Sequence, residues 1–298
     1  EHCGADAEFF PVFNGTGANV VALQSVNQRW QSVICAASAH IHVDEGGAPE
    51  SMAGMKLWTV PTVDGKLRPD DVQGQCFDME FVHRAQPGAV SITQSSEMGT
   101  VYSPDEVSAL AEVAHANNLA LHMDGARLSN AAVSLHVPVR AFTVDAGVDL
   151  VSFGLTKNGA MAAESIIVLN GDRVEGVDFL RKTSMQLASK MRFLSAQFVA
   201  MLTDDLWLRS AGHANAMASR LHDGVGDLSG VTITQPVDAN AVFVLLPEQV
   251  ASHLQERFHF YTWDQATGEV RWMCAWDTTE SDVDGFVAAV RAEIASGA

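Results

Sequence analysis

Three short segments carry residue types that could do chemistry together. Asn14-Gly15-Thr16-Gly17-Ala18-Asn19 follows a strand-like stretch at 9–13 and opens a helical one at 20–27. Glycines at a helix start let a ligand approach the backbone, where free amides and the helix dipole attract a phosphate. The third glycine of a dinucleotide fingerprint is absent and no Gly-Lys-Ser/Thr follows, which counts against a nicotinamide site and against a P-loop. In Leu121-His122-Met123-Asp124-Gly125-Ala126-Arg127 an apolar strand ends in a carboxylate and a glycine turn, with Arg127 just beyond. The carboxyl ends of strands line the ligand crevice of an open α/β sheet. In Ser152-Phe153-Gly154-Leu155-Thr156-Lys157-Asn158-Gly159, one of only five lysines lies in a short polar loop between two apolar strands. Desolvation there would lower the pKa of Lys157 and free its amine to attack a carbonyl. Taken singly, each segment has a plainer account: a tight turn capped by Thr16, a capping Asp124 beside a surface Arg127, a solvated loop lysine. Taken together they offer a phosphate cradle, an anion for a ring nitrogen and an amine for an aldehyde. Pyridoxal phosphate needs all three.

These segments need a scaffold that brings strand ends together. Apolar β-rich runs at 32–36, 55–60, 89–93, 119–123, 150–153 and 165–169 alternate with helical patterns, the signature of βαβ units and a mostly parallel sheet. Residues 104–117 read as an amphipathic helix with Ser103 as its N-cap and Pro104 in its first turn. A long helix is expected over 181–202, and another from Asp204-Asp205 toward Leu221. Beyond about Gly230 the pattern changes to strands at 231–234, 241–246, 258–263 and 270–275 around one helix. Thr267-Gly268 supplies a turn and a last helix spans 280–295. The expected organisation is a large α/β domain over 1–205 and a small α+β domain over 206–298, bridged by the Asp204 helix.

The 298 residues include 18 Lys plus Arg against 36 Asp plus Glu, a formal charge of -18. Such a chain repels phosphate backbones, so nucleic acid is not an expected partner. With 47% apolar and 18% charged residues it has the composition of a folded protein. No run approaches the roughly 20 apolar residues of a membrane span. The opening Glu1-His2-Cys3-Gly4-Ala5-Asp6 does not read as a signal peptide, and an amino-terminal piece is expected to precede it. Cys3, Cys35, Cys76 and Cys274 are too widely spaced for a zinc knuckle or a disulfide framework, and are expected as reduced thiols of a cytoplasmic protein. The eleven histidines include no HExxH pair, so no metal is expected. His83, His115, His213 and His259 are expected to be structural or solvated.

The chain resembles the threonine aldolase family of fold-type-I pyridoxal phosphate enzymes, and within it the branch that includes phenylserine aldolases. HMDGARLSNAAVSL from His122 and SFGLTKNGAMAAE from Ser152 carry most of the resemblance; SKMRFLSAQ from Ser189, TDDLWLR from Thr203 and VRWMCAWDTT from Val270 add to it. It runs from about Phe9 to the last helix and implies a large domain with a seven-stranded, mostly parallel sheet. Family members begin several dozen residues earlier with a Ser-Asp-Asn motif that this sequence lacks. The resemblance implies that Lys157 bonds the cofactor aldehyde, that Asp124 holds the pyridine nitrogen protonated, and that Gly15 and Thr16 bind the phosphate. It implies that His40 stacks on the ring and that Arg127 and Arg271 lie near the cofactor's phenolic oxygen and the substrate carboxylate. Arg192 falls where the family has an arginine reaching a neighbouring subunit's cofactor, which implies a homodimer or homotetramer. Glu97 stands where many members have a histidine near the substrate hydroxyl. The implied reaction is retro-aldol cleavage of a small β-hydroxy-α-amino acid to glycine and an aldehyde, with His40 or Glu97 as base. Alternatives are a β-eliminating lyase or an amino-acid racemase with the same cofactor, a nicotinamide-dependent oxidoreductase, and a non-catalytic binding module.

Overall fold

The computed structural model of the chain describes residues 2–296. The alternation expected from the sequence begins with β1 (Glu8–Val12), α1 (Gly15–Gln24), β2 (Gln31–Ala36), α2 (His40–Val43), α3 (Ala48–Met52) and β3 (Lys56–Val60). It continues through α4 (Pro69–Gln73), β4 (Gln86–Thr93), α5 (Pro104–Ala116), β5 (Ala120–Gly125), α6 (Leu128–Leu135), β6 (Leu150–Gly154) and β7 (Glu164–Val168). The capping expected for α5 is present: Ser103 Oγ accepts from Glu106 N, and the Glu106 carboxylate accepts from Ser103 N.

The seven strands form one sheet in the order β1-β7-β6-β5-β4-β2-β3. β6, β5, β4, β2 and β3 are parallel, whereas β7 runs antiparallel to both its neighbours. One edge of the sheet therefore collects the carboxyl ends of β1, β2, β4, β5 and β6 together with the amino end of β7. Sequence segments far apart meet there. The central strands are buried from end to end, as strands covered on both faces must be.

The helix expected over 181–202 is two helices, α7 (Val177–Thr183) and α8 (Arg192–Leu202). Met185 takes a left-handed φ of 60° between them. The side chain of Gln186 accepts a hydrogen bond from Phe13 N at 2.9 Å, which draws the intervening segment over the start of α1.

After α9 (Leu206–Val225) come β8 (Thr232–Ile233), β9 (Ala241–Leu245), α10 (Glu248–Gln255), β10 (Tyr261–Asp264), β11 (Glu269–Met273) and α11 (Glu280–Ser296). The four strands form an antiparallel sheet, β10-β11-β9-β8, with Gly268 at φ 76° in the β10–β11 turn. Trp207, at the start of α9, belongs to the core of the first sheet, whereas Met217, Leu221 and Val225 belong to the core of the second. α9 thus ties the two layers of packing together.

Leu121 lies on β5 with no exposed surface. Leu121→Ala should cost about 2–5 kcal/mol through lost burial and the cavity left behind. Urea unfolding should show this as a lower midpoint at unchanged slope.

Candidate active site

The edge of the large sheet gathers most of the residues singled out in the sequence. Helix α1 starts at Gly15, five residues earlier than expected, and its N-cap is Asn14 and not Thr16. Asn14 Oδ1 accepts from Gly17 N at 2.7 Å and Asn14 O from Ala18 N at 3.0 Å. The Asn14 side chain thereby satisfies one of the four donors a helix start leaves free, and its carbonyl accepts the first bond of the helix itself. No acceptor faces the amides of Gly15 and Thr16 among the described residues, so these two remain for an anion.

One turn further along α1, Asn19 points into the cavity that Gly15, His40, Glu45, Asp124, Lys157 and Glu164 also line. Its Nδ2 donates one hydrogen to Asp124 Oδ2 and the other to Glu45 Oε1, each at 2.8 Å. Asp124, at the end of β5, also accepts from Ala126 N at 3.0 Å. His40, at the start of α2, has Nδ1 2.9 Å from Glu45 Oε1. His40, Glu45 and Asp124 come close enough to share a cation. The Asn19 amide already donates into the gap between the two carboxylates, and nothing else in the cluster favours a metal.

The cationic groups face these carboxylates. Lys157 follows β6 and is accessible to solvent, yet protein groups crowd its amine. That partial desolvation, ahead of repulsion from Arg127, lowers its pKa, with Asp124, Glu164 and Glu97 opposing. Arg127, just beyond β5, has its pKa lowered to about 10 by desolvation and by repulsion from Arg271. Arg271 comes from β11 in the second sheet and is lowered in the same direction by desolvation. Its guanidinium lies 4.4 Å over the Trp263 ring, and its buried Nε has no partner. Two guanidiniums that repel each other beside a desolvated amine make a site for an anion.

Glu97 is buried in the loop after β4. Its Oε1 accepts from His40 N and from Thr93 Oγ1, both at 2.7 Å, while Oε2 has no partner. Burial raises its pKa against those two hydrogen bonds, and Asp124 adds to the rise. His122 shares the face of β5 that carries Asp124, two residues away. It is wholly buried, with Nδ1 2.9 Å from Ser91 Oγ and Nε2 2.9 Å from Ser152 Oγ, and desolvation lowers its pKa to about 4. A neutral imidazole thus links β4, β5 and β6 beneath the site.

Arg192 is the exception. It is exposed at the start of α8, with its guanidinium 5.1 Å over the adjacent Phe193 ring and no bond to the cluster. The sequence reading passed over Asn19, Glu45 and Glu164. Asn19 closes the glycine-rich segment and Glu45 lies five residues after His40, so both were within sight. Glu164 reaches the site only because β7 is inverted. Among the histidines with no expected role, His115 pairs with Asp149 at 2.9 Å and His213 bonds the Thr278 carbonyl at 2.6 Å.

The residues fit pyridoxal phosphate. Free amides at a helix start suit its phosphate, a buried hydrogen-bonded carboxylate suits its ring nitrogen, and a lysine of lowered pKa suits its aldehyde. Known proteins agree. A sequence profile of the beta-eliminating lyase family matches residues 1–249. A low specificity L-threonine aldolase of a Pseudomonas species is 43% identical over 289 residues, spanning 96% of this chain and 83% of that protein. Another from Pseudomonas aeruginosa is 44% identical over 92% of this chain and 79% of that one. The solved threonine aldolase of Leishmania major superposes with a TM-score of 0.89 at 29% identity, covering 96% of this chain and 84% of that one. The chain belongs to the beta-eliminating lyase family and, within it, to the threonine aldolases, pyridoxal phosphate-dependent lyases of fold type I.

Proposed function

We propose that this chain cleaves β-hydroxy-α-amino acids of the threonine or phenylserine type to glycine and an aldehyde. The convergence of Lys157, Asp124 and the Arg127–Arg271 pair on one edge carries the reading, because an amino acid needs an amine acceptor and a carboxylate clamp side by side. The relatives' activity on L-threonine supports it.

The cofactor, when bound, supplies an aldehyde for the substrate amine and a ring that takes up the electrons of the broken bond. The chain's own residues do the rest. The Gly15 and Thr16 amides would hold the phosphate, and His40 would lie against the ring. Asp124 would keep a proton on the ring nitrogen through its carboxylate. Lys157 would be the amine that holds the cofactor; its lowered pKa leaves more of it neutral and nucleophilic. Arg271, with Arg127, grips the substrate carboxylate through a planar fork and so orients the Cα–Cβ bond for cleavage. As that bond breaks, the β-hydroxyl proton passes to His40 Nε2, because Nδ1 already faces Glu45. Such assistance is typically worth ~10²–10⁴-fold. Glu97 is the second candidate for this base: a carboxylate of raised pKa is a stronger base than an ordinary one.

The reading extends to assembly. Arg192 would reach a neighbouring subunit's cofactor phosphate, giving a homodimer or homotetramer. The exposure of Phe179, Phe193 and Val199 on α7 and α8 supports an apolar subunit contact there. A division at 205/206 into a cofactor-binding domain and a smaller one accords with the two sheets, α9 being the bridge. The four cysteines are free thiols and no described helix is long and apolar enough to cross a membrane, in keeping with a cytoplasmic enzyme. β-Elimination or racemisation is the alternative, since it would use the same cofactor.

Three measurements test this. Incubation with threonine, allo-threonine and phenylserine should release glycine and aldehyde; a keto acid with ammonia, or only the mirror-image amino acid, would replace the aldolase reading with elimination or racemisation. Lys157→Ala should abolish the visible absorption band of the protein-bound cofactor, and an intact band would exclude this lysine. The third concerns Glu97, whose raised folded-state pKa means that its contribution to stability is complete below the ordinary carboxylate range and is lost as pH rises. Glu97→Gln removes that loss, so the urea midpoint of the variant should gain on the wild type as pH rises above the ordinary carboxylate range.

A further inference from the structure

Glu45 touches neither substrate nor cofactor in the reaction derived above and enters it only as the neighbour of His40 Nδ1, yet its side chain is wholly buried and sits at the centre of the site's hydrogen bonds. Its Oε1 takes one hydrogen from Asn19 Nδ2 at 2.8 Å and lies 2.9 Å from His40 Nδ1; its Oε2 has no partner. A buried carboxylate without full pairing is costly, so a fold that keeps one uses it. Asn19 leaves little choice of geometry. Both Nδ2 hydrogens are committed, one to Glu45 and one to Asp124, and a flipped amide would turn its oxygen toward two carboxylates. Glu45 is thereby tied to Asp124 through a single nitrogen.

We propose that Glu45 is a positioning residue that fixes the tautomer and orientation of His40, with Asn19 setting its distance from Asp124. An acceptor-only carboxylate at Nδ1 places the imidazole proton there and leaves Nε2 as the free, basic nitrogen. The main chain of His40 is held separately, by its N–H bond to Glu97 at 2.7 Å. Ring and backbone are thus fixed by two different acidic side chains. The arrangement rests on the proposed role of His40 and adds the reason its Nε2 is available as a base.

The charged groups facing His40 come from four places: Glu45 after α2, Asp124 on β5, Glu97 after β4 and Lys157 after β6. The Glu45 hydrogen bond is the largest influence on the imidazole and raises its pKa; desolvation and Lys157 oppose it, and Asp124 adds to the rise. Glu45 therefore favours both the Nδ1–H form and proton uptake at Nε2.

The test reads the histidine itself, so it does not depend on which reaction the enzyme catalyses. The 298-residue chain labelled with 15N-histidine, with no cofactor added, is titrated by NMR, and the His40 signals are identified by their loss in His40→Asn. In the wild type the neutral ring should carry its proton on Nδ1. In Glu45→Gln, which keeps the side-chain volume, the His40 pKa should fall by about one pH unit. In Glu45→Ala the neutral ring should change to Nε2–H. An unchanged His40 pKa in Glu45→Gln would overturn the proposal, and this variant decides the matter if Glu45→Ala does not fold. Failure of the aldolase reading would show separately, in the products formed from threonine and phenylserine.

Discussion

One amide nitrogen, Asn19 Nδ2, stands between two buried carboxylates, and the site is built around that arrangement. Asp124 and Glu45 would repel each other across a short gap of low dielectric without a donor between them. Asn19 supplies both hydrogens, and it does so from α1, the same helix whose first two amides face outward. Four residues of α-helix rise about 6 Å. A single rigid element therefore sets the spacing between an anion cradle at its start and the carboxylate pair one turn later. A flat cofactor with a phosphate at one end and a ring nitrogen at the other meets a ruler already fixed in place.

The sheet completes what the helix begins. Six strands point the same way, and the inversion of β7 adds Glu164 to the same edge. Carboxylates outnumber cations in the cavity, but the cations lie together: Lys157, Arg127 and Arg271 each have their pKa lowered by desolvation. Holding like charges together in a desolvated place works against folding and is tolerated where an anion is to be bound. The second sheet contributes Arg271, so the two guanidiniums meet only when both layers are packed. α9 ensures that they are, with Trp207 in one core and Leu221 in the other.

Much of this was legible in the sequence. The strands of the large sheet were readable because fully buried parallel strands are short apolar runs bounded by polar turns, and 119–123 and 150–153 are clear examples. The start of α5 was readable because Ser103 and Pro104 act within one turn, to which the structure adds Glu106. The placement of Lys157 and Asp124 at the edge of the sheet was readable because each follows such a strand directly. The start of α1 was misjudged: Asn14 caps more effectively than Thr16, and glycines are tolerated in the first turn. The break at 184–191 was not legible; within it Gln186 bonds Phe13, more than 170 residues away.

What the sequence determined by itself was local: the order of strands and helices, their caps, and which polar residues lie just beyond strand ends. Short-range physics governs these, through side-chain periodicity and backbone hydrogen bonding within a few residues. Tertiary structure decided which of those residues meet. It brought Asn19 to Asp124 over 105 positions and joined His40 to Glu97 over 57, and it turned Arg271 from a separate sheet toward Arg127. The pKa values that suit the site to its chemistry arise only from that assembly, because desolvation and the field of neighbouring charges exist only once the chain has closed around them.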